Sequence, residues 1–293
     1  MEKSIALSLL ATLTLLNVVF AQDSTFLTTS TGLLYKIYSD KKEAPARDGD
    51  FLKYHVLETL HDSVLMSTYD NMPVYTRVGS AHTSYSAAEL FPLLGKGDRA
   101  LVVMPVADIQ QHLGGQLPGF LRKTDSIYIA FKVLEVFRTN KEQEADSAQE
   151  VTKQQNKESQ TIEFYLGLHH ISAEKTAMGT YIVIENPGSG PTITSGKQVA
   201  FHYTCRALHG SKIVRSNQPD SENAPFTAVI GEGKVILGLE DGLRHLRAGG
   251  KATLYVPAFL GYDSMQGPGG STFEDLIFDI EVDKVTAAPI NTH

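Results

Sequence analysis

The amino-acid sequence predicts an α+β protein made of two copies of one domain, each a curved antiparallel sheet packed on one short helix. Three observations support this prediction: the sequence repeats itself, apolar residues alternate along several short segments, and each copy contains one helix-like stretch. The chain has 293 residues, of which 42% are hydrophobic and 20% are charged. This length and composition fit two folded domains with apolar cores.

The internal repeat indicates the number of domains. A segment that begins at Thr29 resembles one that begins at Thr176, and LLGKGDRALVVMP at 93–105 resembles HLRAGGKATLYVP at 245–257. Equivalent residues lie 147 positions apart in the pairs Gly32 and Gly179, Gly49 and Gly196, His55 and His202, and Phe131 and Phe278. Two copies of one domain explain this spacing better than chance does.

Alternating apolar residues predict the strands, because successive side chains of a strand point to opposite faces. Such alternation is typical of an antiparallel sheet with one covered face. In the second copy the predicted core faces are Val199, Phe201 and Tyr203; Ala252, Leu254 and Val256; and Leu276, Phe278, Ile280 and Val282. In the first copy they are Leu101 and Val103, then Ile127, Ile129 and Phe131.

One helix over 238–246 is predicted to cover the sheet of the second copy. Leu239, Leu243 and Leu246 share one side of this helix, and Gly249-Gly250 are predicted to end it. Two aliphatic residues, Val235 and Ile236, stand just before it.

The segment 138–160 between the copies is almost entirely polar and lacks Gly and Pro. It is either a solvated helix or a flexible spacer, and we favour a helix because apolar residues at Ile162 and Leu166 follow with helical spacing. We expect this apolar piece to dock on the second copy. The predicted boundaries are 26–137 for the first domain, 138–172 for the linker and 173–286 for the second domain.

The N-terminal segment 1–21 is predicted to be a secretory signal peptide. Lys3 is followed by an apolar run over 5–16, which is too short to span a bilayer comfortably as the alternative membrane anchor would. We therefore expect an exported, periplasmic protein without a membrane span after cleavage. No cysteine stands directly after the predicted cut, so a lipoprotein is not expected.

Charge and cysteine content narrow the function classes. The net charge of −7 argues against nucleic-acid binding, which favours a basic face. Cys205 is the single cysteine, so no internal disulfide is possible. The sequence shows no catalytic-triad spacing, and the adjacent His169 and His170 point about 100° apart on a helix, which disfavours a metal site.

An ordered set of motifs in the second copy resembles the FKBP-type peptidyl-prolyl isomerase family. The set is HYT at 202–204, PF at 225–226, GEGKVILGLEDGL at 231–243, GGKATLYVP at 249–257, GY at 261–262 and FDIEV at 278–282. The resemblance covers about 176–285. The paired copies, linker and N-terminal segment are also similar to exported Gram-negative members of the family.

The resemblance implies two FKBP-like domains and a shallow apolar cleft that rotates the bond before proline without covalent chemistry or a cofactor. It implies Tyr262 and Tyr203 as catalytic residues, with the Tyr262 hydroxyl and the Ile236 N–H holding the peptide. The implied substrate-binding residues are Ile213 at the rim and Phe226, Val235, Ile236, Leu239 and Phe278 along the cleft. The implied partners are proline-containing polypeptides that fold after export.

Several positions depart from the family pattern. Ile213-Val214 replace the usual Phe-Asp, Leu239 replaces the tryptophan of the cleft floor, and 269–273 replaces the Ile-Pro-Pro stretch of the far rim. The loop that follows Asn217 is longer than the compact family form. The cleft floor is therefore kept while part of the rim is lost.

The first copy departs further and is predicted to be a degenerate FKBP-like domain without a pocket. Val56 stands where Tyr203 stands in the second copy, and Met66-Ser67 stand where Ile213-Val214 stand. This copy could hold clients, pair with another subunit or act as a spacer. Two alternatives to an isomerase therefore remain: a non-catalytic chaperone or interaction module with a weakened pocket, and a homodimeric scaffold joined through the first copy.

Overall fold

A computed structural model describes residues 25–40, 42–79, 85–114, 116–210, 212–217 and 224–288, so the predicted signal peptide lies outside the described residues. The chain divides into two compact units, Met1–Glu150 and Val151–His293. Each unit contains one seven-stranded sheet, and every strand pair is antiparallel. The predicted α+β class with two antiparallel sheets is confirmed. Within these ranges, no helix is long and apolar enough to cross a membrane.

The first unit contains strands β1 to β7, a 3₁₀ helix and the short helix α1. The sheet order is β1-β2-β6-β7-β3-β4, and β5 also pairs with β3. The bounds are β1 (Leu27–Thr28), β2 (Leu34–Tyr38), β3 (Phe51–Leu60), β4 (Ser63–Ser67), β5 (Val74–Arg77), the 3₁₀ helix (Ala87–Leu93), β6 (Arg99–Pro105), α1 (Val106–Leu113) and β7 (Ser126–Phe137).

The core of the first unit lies between its sheet and the 3₁₀ helix. Ser86 and Glu89 form a reciprocal capping box at the start of that helix, and Pro92 lies inside it. The predicted core face of β6 is wrong by one residue. Leu101 and Val103 are only half-buried, whereas Ala100, Val102 and Met104 are the buried residues.

The polar segment between the copies forms a helix, α2 (Asn140–Leu168), as favoured from the sequence. Thr139 and Glu142 cap its first turn: the Thr139 N–H donates to the Glu142 carboxylate at 3.1 Å, and the Glu142 N–H donates to the Thr139 hydroxyl at 3.3 Å. In the first unit, Lys53 pairs with Asp146 at 2.6 Å and with Glu150 at 3.1 Å.

The later turns of α2 bury one stripe of side chains in the second unit. The buried residues recur at every fourth position: Gln154, Glu158, Ile162 and Leu166. The expectation of a solvated helix is therefore wrong at Gln154 and Glu158. Glu158 is buried because its carboxylate accepts hydrogen bonds from the Gln154 amide and the Phe259 N–H, both at 2.8 Å.

The second unit contains strands β8 to β14, helix α3 and a second 3₁₀ helix. The sheet order is β11-β10-β14-β13-β9-β8, and β12 also pairs with β10, so the two units share one strand order. The bounds are β8 (Glu174–Lys175), β9 (Tyr181–Asn186), β10 (Lys197–Ala207), β11 (Ile213–Ser216), β12 (Phe226–Val229), α3 (Leu237–Leu243), β13 (Lys251–Val256), the 3₁₀ helix (Ala258–Leu260) and β14 (Leu276–Ala287).

Two apolar clusters stabilise the second unit, one on each face of its sheet. The cluster beneath α3 contains every predicted core residue of β13 and β14, together with Val199 and Phe201 of β10, and Tyr203 packs against it. The predicted strand faces are confirmed here. The smaller cluster, on the opposite face, joins α2 to the sheet through Ile162, Leu166, Tyr181, Leu208, Tyr255 and Ile277.

Helix α3 is shorter than predicted, although its predicted apolar side is buried. It ends at Leu243 with Arg244 as its C-cap, so Gly249-Gly250 do not end it. Gly249 instead has a φ of 82° in the turn that leads into β13. Within the helix, a Cβ on Gly238 would overlap Val256, because α3 lies directly against β13. This close approach brings the start of α3 against the sheet.

Candidate active site

The second unit contains a cavity of about 370 Å³ beside the start of α3. Strands β10, β11, β12 and β14, the start of α3 and the segment after β13 all contribute to its walls. The lining residues are Phe201, Tyr203, Cys205, Arg215, Phe226, Gly233, Lys234, Val235, Ile236, Leu239, Tyr262 and Phe278.

Aromatic rings form one wall because alternate residues of β10 face the cavity. Phe201 lies opposite Phe226 across the β10–β12 pair, and Cys205 lies opposite Phe278 across the β10–β14 pair. The Tyr203 ring centroid lies 6.0 Å from that of Phe278 and 6.3 Å from that of Phe226, the second pair being T-shaped. These distances are those of packed aromatic pairs, so the wall is a continuous apolar surface.

The residues before α3 form another wall. Val235 and Ile236 pack half-buried against the apolar cluster, and Leu239 of the first helical turn is buried. The Ile236 carbonyl accepts hydrogen bonds from the N–H groups of Leu239 and Glu240, both at 3.1 Å. Among the described residues, no acceptor pairs with the Ile236 N–H. This N–H at the edge of the cavity is therefore available to a bound peptide.

Tyr262 lines the cavity from the segment that follows the second 3₁₀ helix. Two carboxylates hold the start of that helix: Asp275 accepts from the Ala258 N–H at 2.9 Å, and Glu158 accepts from the Phe259 N–H at 2.8 Å. Helix α2 therefore helps to position the segment that carries Tyr262, since Glu158 belongs to α2.

Asp275 gives the second unit a pH-dependent stability. Burial raises the pKa of Asp275 to about 7. The folded unit then binds a proton that the unfolded chain releases above about pH 4, so the free energy of unfolding falls as the pH rises from about 4 to 7. Asp275→Asn is expected to flatten this slope and to stabilise the unit at pH 8. Urea unfolding of both chains at pH 5 and pH 8 measures the effect, and a wild-type chain equally stable at both pH values contradicts it.

Among the described residues that line the cavity, the strongest candidate nucleophile is the Cys205 thiol. Burial, followed by the charge of Glu274, raises the pKa of the Cys205 thiol to about 12, so the thiol stays protonated. Burial also raises the pKa of Tyr203. Within the described residues, no group of three or more His, Cys, Asp or Glu side chains could hold a metal ion. The arrangement suits non-covalent binding of an apolar group.

Seven of the eight residues predicted for the site line this cavity: Tyr203, Phe226, Val235, Ile236, Leu239, Tyr262 and Phe278. The structure does not bring Ile213 into the lining, and 52% of its surface is exposed. A shift in the β10–β11 register places Arg215 opposite Cys205 and Ile213 opposite Arg206. Since Arg206 follows Cys205 on an alternating strand, Ile213 lies away from the cavity and Arg215 lies at it.

Five further residues line the cavity without having been predicted for the site: Phe201, Cys205, Arg215, Gly233 and Lys234. Phe201 and Cys205 could have been found, because they lie two positions on either side of Tyr203 along one strand face. Arg215 faces the cavity because of the register shift between β10 and β11. Gly233 and Lys234 lie in a turn whose path the apolar pattern does not indicate.

In the first unit, aromatic side chains pack against one another near the position that corresponds to the cavity. The ring centroids of Tyr54, Phe91 and Phe131 lie 5.2 to 5.7 Å apart. Val56, the counterpart of Tyr203, is buried in this core. Phe91 comes from the 3₁₀ helix and fills space in the core of the first unit.

A family model for FKBP-type peptidyl-prolyl cis-trans isomerases matches residues 190–283, a range that includes every lining residue of the cavity. The FK506-binding protein of Neisseria meningitidis serogroup A is 33% identical over 111 residues, which is 37% of this chain and 98% of that protein. The chain belongs to the FKBP-type peptidyl-prolyl cis-trans isomerase family.

Other FKBP-type relatives are matched over a smaller share of their length. FK506-binding protein 4 of Chaetomium thermophilum is 35% identical over 108 residues, which is 37% of this chain but 22% of that protein. The chain thus spans about a fifth of the length of this relative. Among solved structures, FkpA from Escherichia coli is 21% identical, with coverage of 51% of this chain and 70% of that chain and a TM-score of 0.39.

Proposed function

We propose that the second unit is a peptidyl-prolyl cis-trans isomerase that rotates the peptide bond before proline in polypeptide clients. The observation that carries the proposal is the apolar, aromatic-walled cavity of about 370 Å³. Within the described part of the chain, it offers a backbone donor without an acceptor and no activated nucleophile. Rotation about an amide bond requires no nucleophile, because no covalent bond is made or broken. The domain that we assign to this activity is 173–286.

The chemistry follows from the polarity of the amide. A planar amide is stabilised by resonance, and the barrier to its rotation is about 18–20 kcal/mol. The twisted amide has lost that resonance and is less polar, so a dry apolar surface stabilises it relative to the planar form. In this proposal Phe226 and Phe278 pack against the proline ring, Leu239 forms the floor and Tyr203 closes one side.

Two donors would hold the peptide while its bond rotates. The Ile236 N–H stands at the edge of the cavity without a described acceptor, and Tyr262 contributes a hydroxyl to the lining. Hydrogen bonds to carbonyls that flank the rotating bond fix one end of the peptide, so that thermal rotation is confined to the other.

The test is a proline-isomerisation assay on the full chain, with exchange NMR of a proline tetrapeptide as the readout. Wild-type protein is expected to accelerate cis–trans exchange. Tyr262→Phe is expected to lower kcat/KM about two- to tenfold, since one hydrogen bond contributes about 0.5–1.5 kcal/mol. Tyr128→Phe, which removes the hydroxyl of a tyrosine 43% exposed in the first unit, is the matched control and should behave as wild type. No acceleration by wild-type protein would overturn the proposal.

A non-catalytic chaperone is the second candidate, and one observation favours it. Val214, at a position where the family usually has Asp, packs its side chain against the apolar cluster and offers no polar group to a bound amide. Suppression of client aggregation that persists in Phe226→Ala, together with peptide binding but no acceleration, would favour this candidate over the isomerase.

The cellular location of the activity remains a prediction. The segment 1–21 favours export, and we propose proteins folding outside the cytoplasm as the clients. A homodimer joined through the first unit also stays a prediction, which sedimentation of the full chain at working concentration would test.

A further inference from the structure

Two charged residues line the cavity in the described part of the chain, and both are positive. Arg215 of β11 and Lys234 of the turn before α3 belong to the lining, and within the described part of the chain no aspartate or glutamate does. The chain as a whole carries a net charge of −7, so this positive rim is opposite to the overall charge of the protein.

Arg215 reaches the cavity because of the register shift in β11. The shift places it opposite Cys205, whose side chain also lines the cavity. Burial raises the pKa of Tyr203, and the guanidinium of Arg215 acts in the opposite direction. At Cys205, burial and then the charge of Glu274 raise the pKa, and Arg215 opposes them more weakly. The charge of Arg215 therefore acts on Tyr203, a residue of the aromatic wall.

Three described carboxylates near the cavity have partners other than its two cations. Glu274 is buried and accepts a hydrogen bond from the Gly269 N–H at 2.7 Å. Glu240 pairs with Arg244 at 2.7 Å. Asp279 accepts from two threonine hydroxyls at 3.0 Å and 2.9 Å. Among the described residues, none of these carboxylates forms an ion pair with Arg215 or Lys234.

We propose that the cavity selects prolyl peptides that carry a carboxylate side chain next to the proline. A glutamate or aspartate beside the bound proline would supply a counter-charge to Arg215 and Lys234, which form no ion pair among the described residues. This inference rests on the proposed function, because it concerns which clients the same cavity accepts. The substrate class is an acidic segment around proline in an unfolded chain.

The expected preference is moderate, because both cations are exposed. An exposed ion pair changes a binding equilibrium by less than about fivefold, and two cations act here. We expect kcat/KM for a Glu-Pro-Glu tetrapeptide to exceed that for the Lys-Pro-Lys analogue by about three- to tenfold, with Gln-Pro-Gln between them. The ratio should approach one in high salt, since the Debye length falls to about 3 Å at 1 M.

The experiment measures exchange rates of the three peptides on the full chain, its Arg215→Glu variant and its Lys212→Glu variant. Arg215→Glu is expected to abolish or reverse the order of the peptides. Lys212→Glu makes the same change of charge at an exposed residue three positions away that does not line the cavity, and it should keep the order.

Two outcomes separate the inference from the proposed function. Acceleration of all three peptides at equal rates, or an order that Arg215→Glu leaves unchanged, overturns the charge selection alone. No acceleration of any peptide, the uncharged Gln-Pro-Gln included, overturns the isomerase proposal and the selection with it.

Discussion

Replacing Phe226 by alanine is expected to lower kcat/KM for proline isomerisation about ten- to hundredfold while leaving the fold almost as stable as before. The Phe226 side chain is 38% exposed, so the folded unit does not depend on it for its core. Its ring lies 5.5 Å from Phe201 and 6.3 Å from Tyr203, and it forms a face of the cavity. A bound proline ring would bury that face, and burial of a large apolar side chain contributes about 1.5–3 kcal/mol.

The measurement is the rate of cis–trans exchange of a proline tetrapeptide, with urea unfolding of the same preparations. Phe120→Ala is a matched control, because Phe120 is 66% exposed in the first unit and should affect neither quantity. If Phe226→Ala keeps the full wild-type rate, the cavity is not where the proline binds.

Replacing Phe201 by alanine is expected to destabilise the second unit by about 3–5 kcal/mol, the largest stability change among the lining residues. Phe201 has no exposed surface and belongs to the main apolar cluster. Removing a fully buried phenyl ring loses its transfer free energy and leaves a cavity that the surrounding strands cannot close. The same change also removes the ring that supports Phe226, so activity should fall with stability.

Urea unfolding followed by circular dichroism measures this loss as a shift of the transition that belongs to the second unit. Phe164→Ala is the control, because Phe164 is 72% exposed on α2. A change below 1 kcal/mol for Phe201→Ala would contradict the packing described for this face.

The core faces of three strands in the second unit could be predicted from the sequence, because apolar residues alternate along these strands. The alternation in β10, β13 and β14 reflects a sheet whose main apolar cluster lies on one side, and the structure buries the predicted residues there. In β6 of the first unit the residues 100–104 are all apolar, so alternation gives no face. The repeat itself could have settled it, since Ala100 and Val102 correspond to Ala252 and Leu254.

Polar burial and helix ends were harder to predict. Glu158 is buried in a run of polar residues because the Phe259 N–H, 101 positions away, donates to it. Nothing local in the sequence indicates that partner. The end of α3 at Leu243 was misplaced because the apolar spacing continues to Leu246, which is buried from the turn that follows the helix.

Most of the site could be predicted because it depends on residues that follow one another along strands and at a helix start. Tyr203, Ile236 and Phe278 are placed by alternation and by the position of α3. The positions of Ile213 and Arg215 were not predicted correctly, because an extra residue in β11 changes which side chain faces the cavity. A one-residue shift of this kind leaves no mark in the apolar pattern.

The central claim is that the cavity of the second unit receives the prolyl peptide. The most direct measurement is methyl NMR of the full chain during titration with a proline tetrapeptide. We expect the methyl signals of Val235, Ile236 and Leu239 to shift together, and that of Val56 in the first unit to stay in place. Shifts confined to the first unit, or no shift at the three cavity residues while exchange is accelerated, would contradict the account.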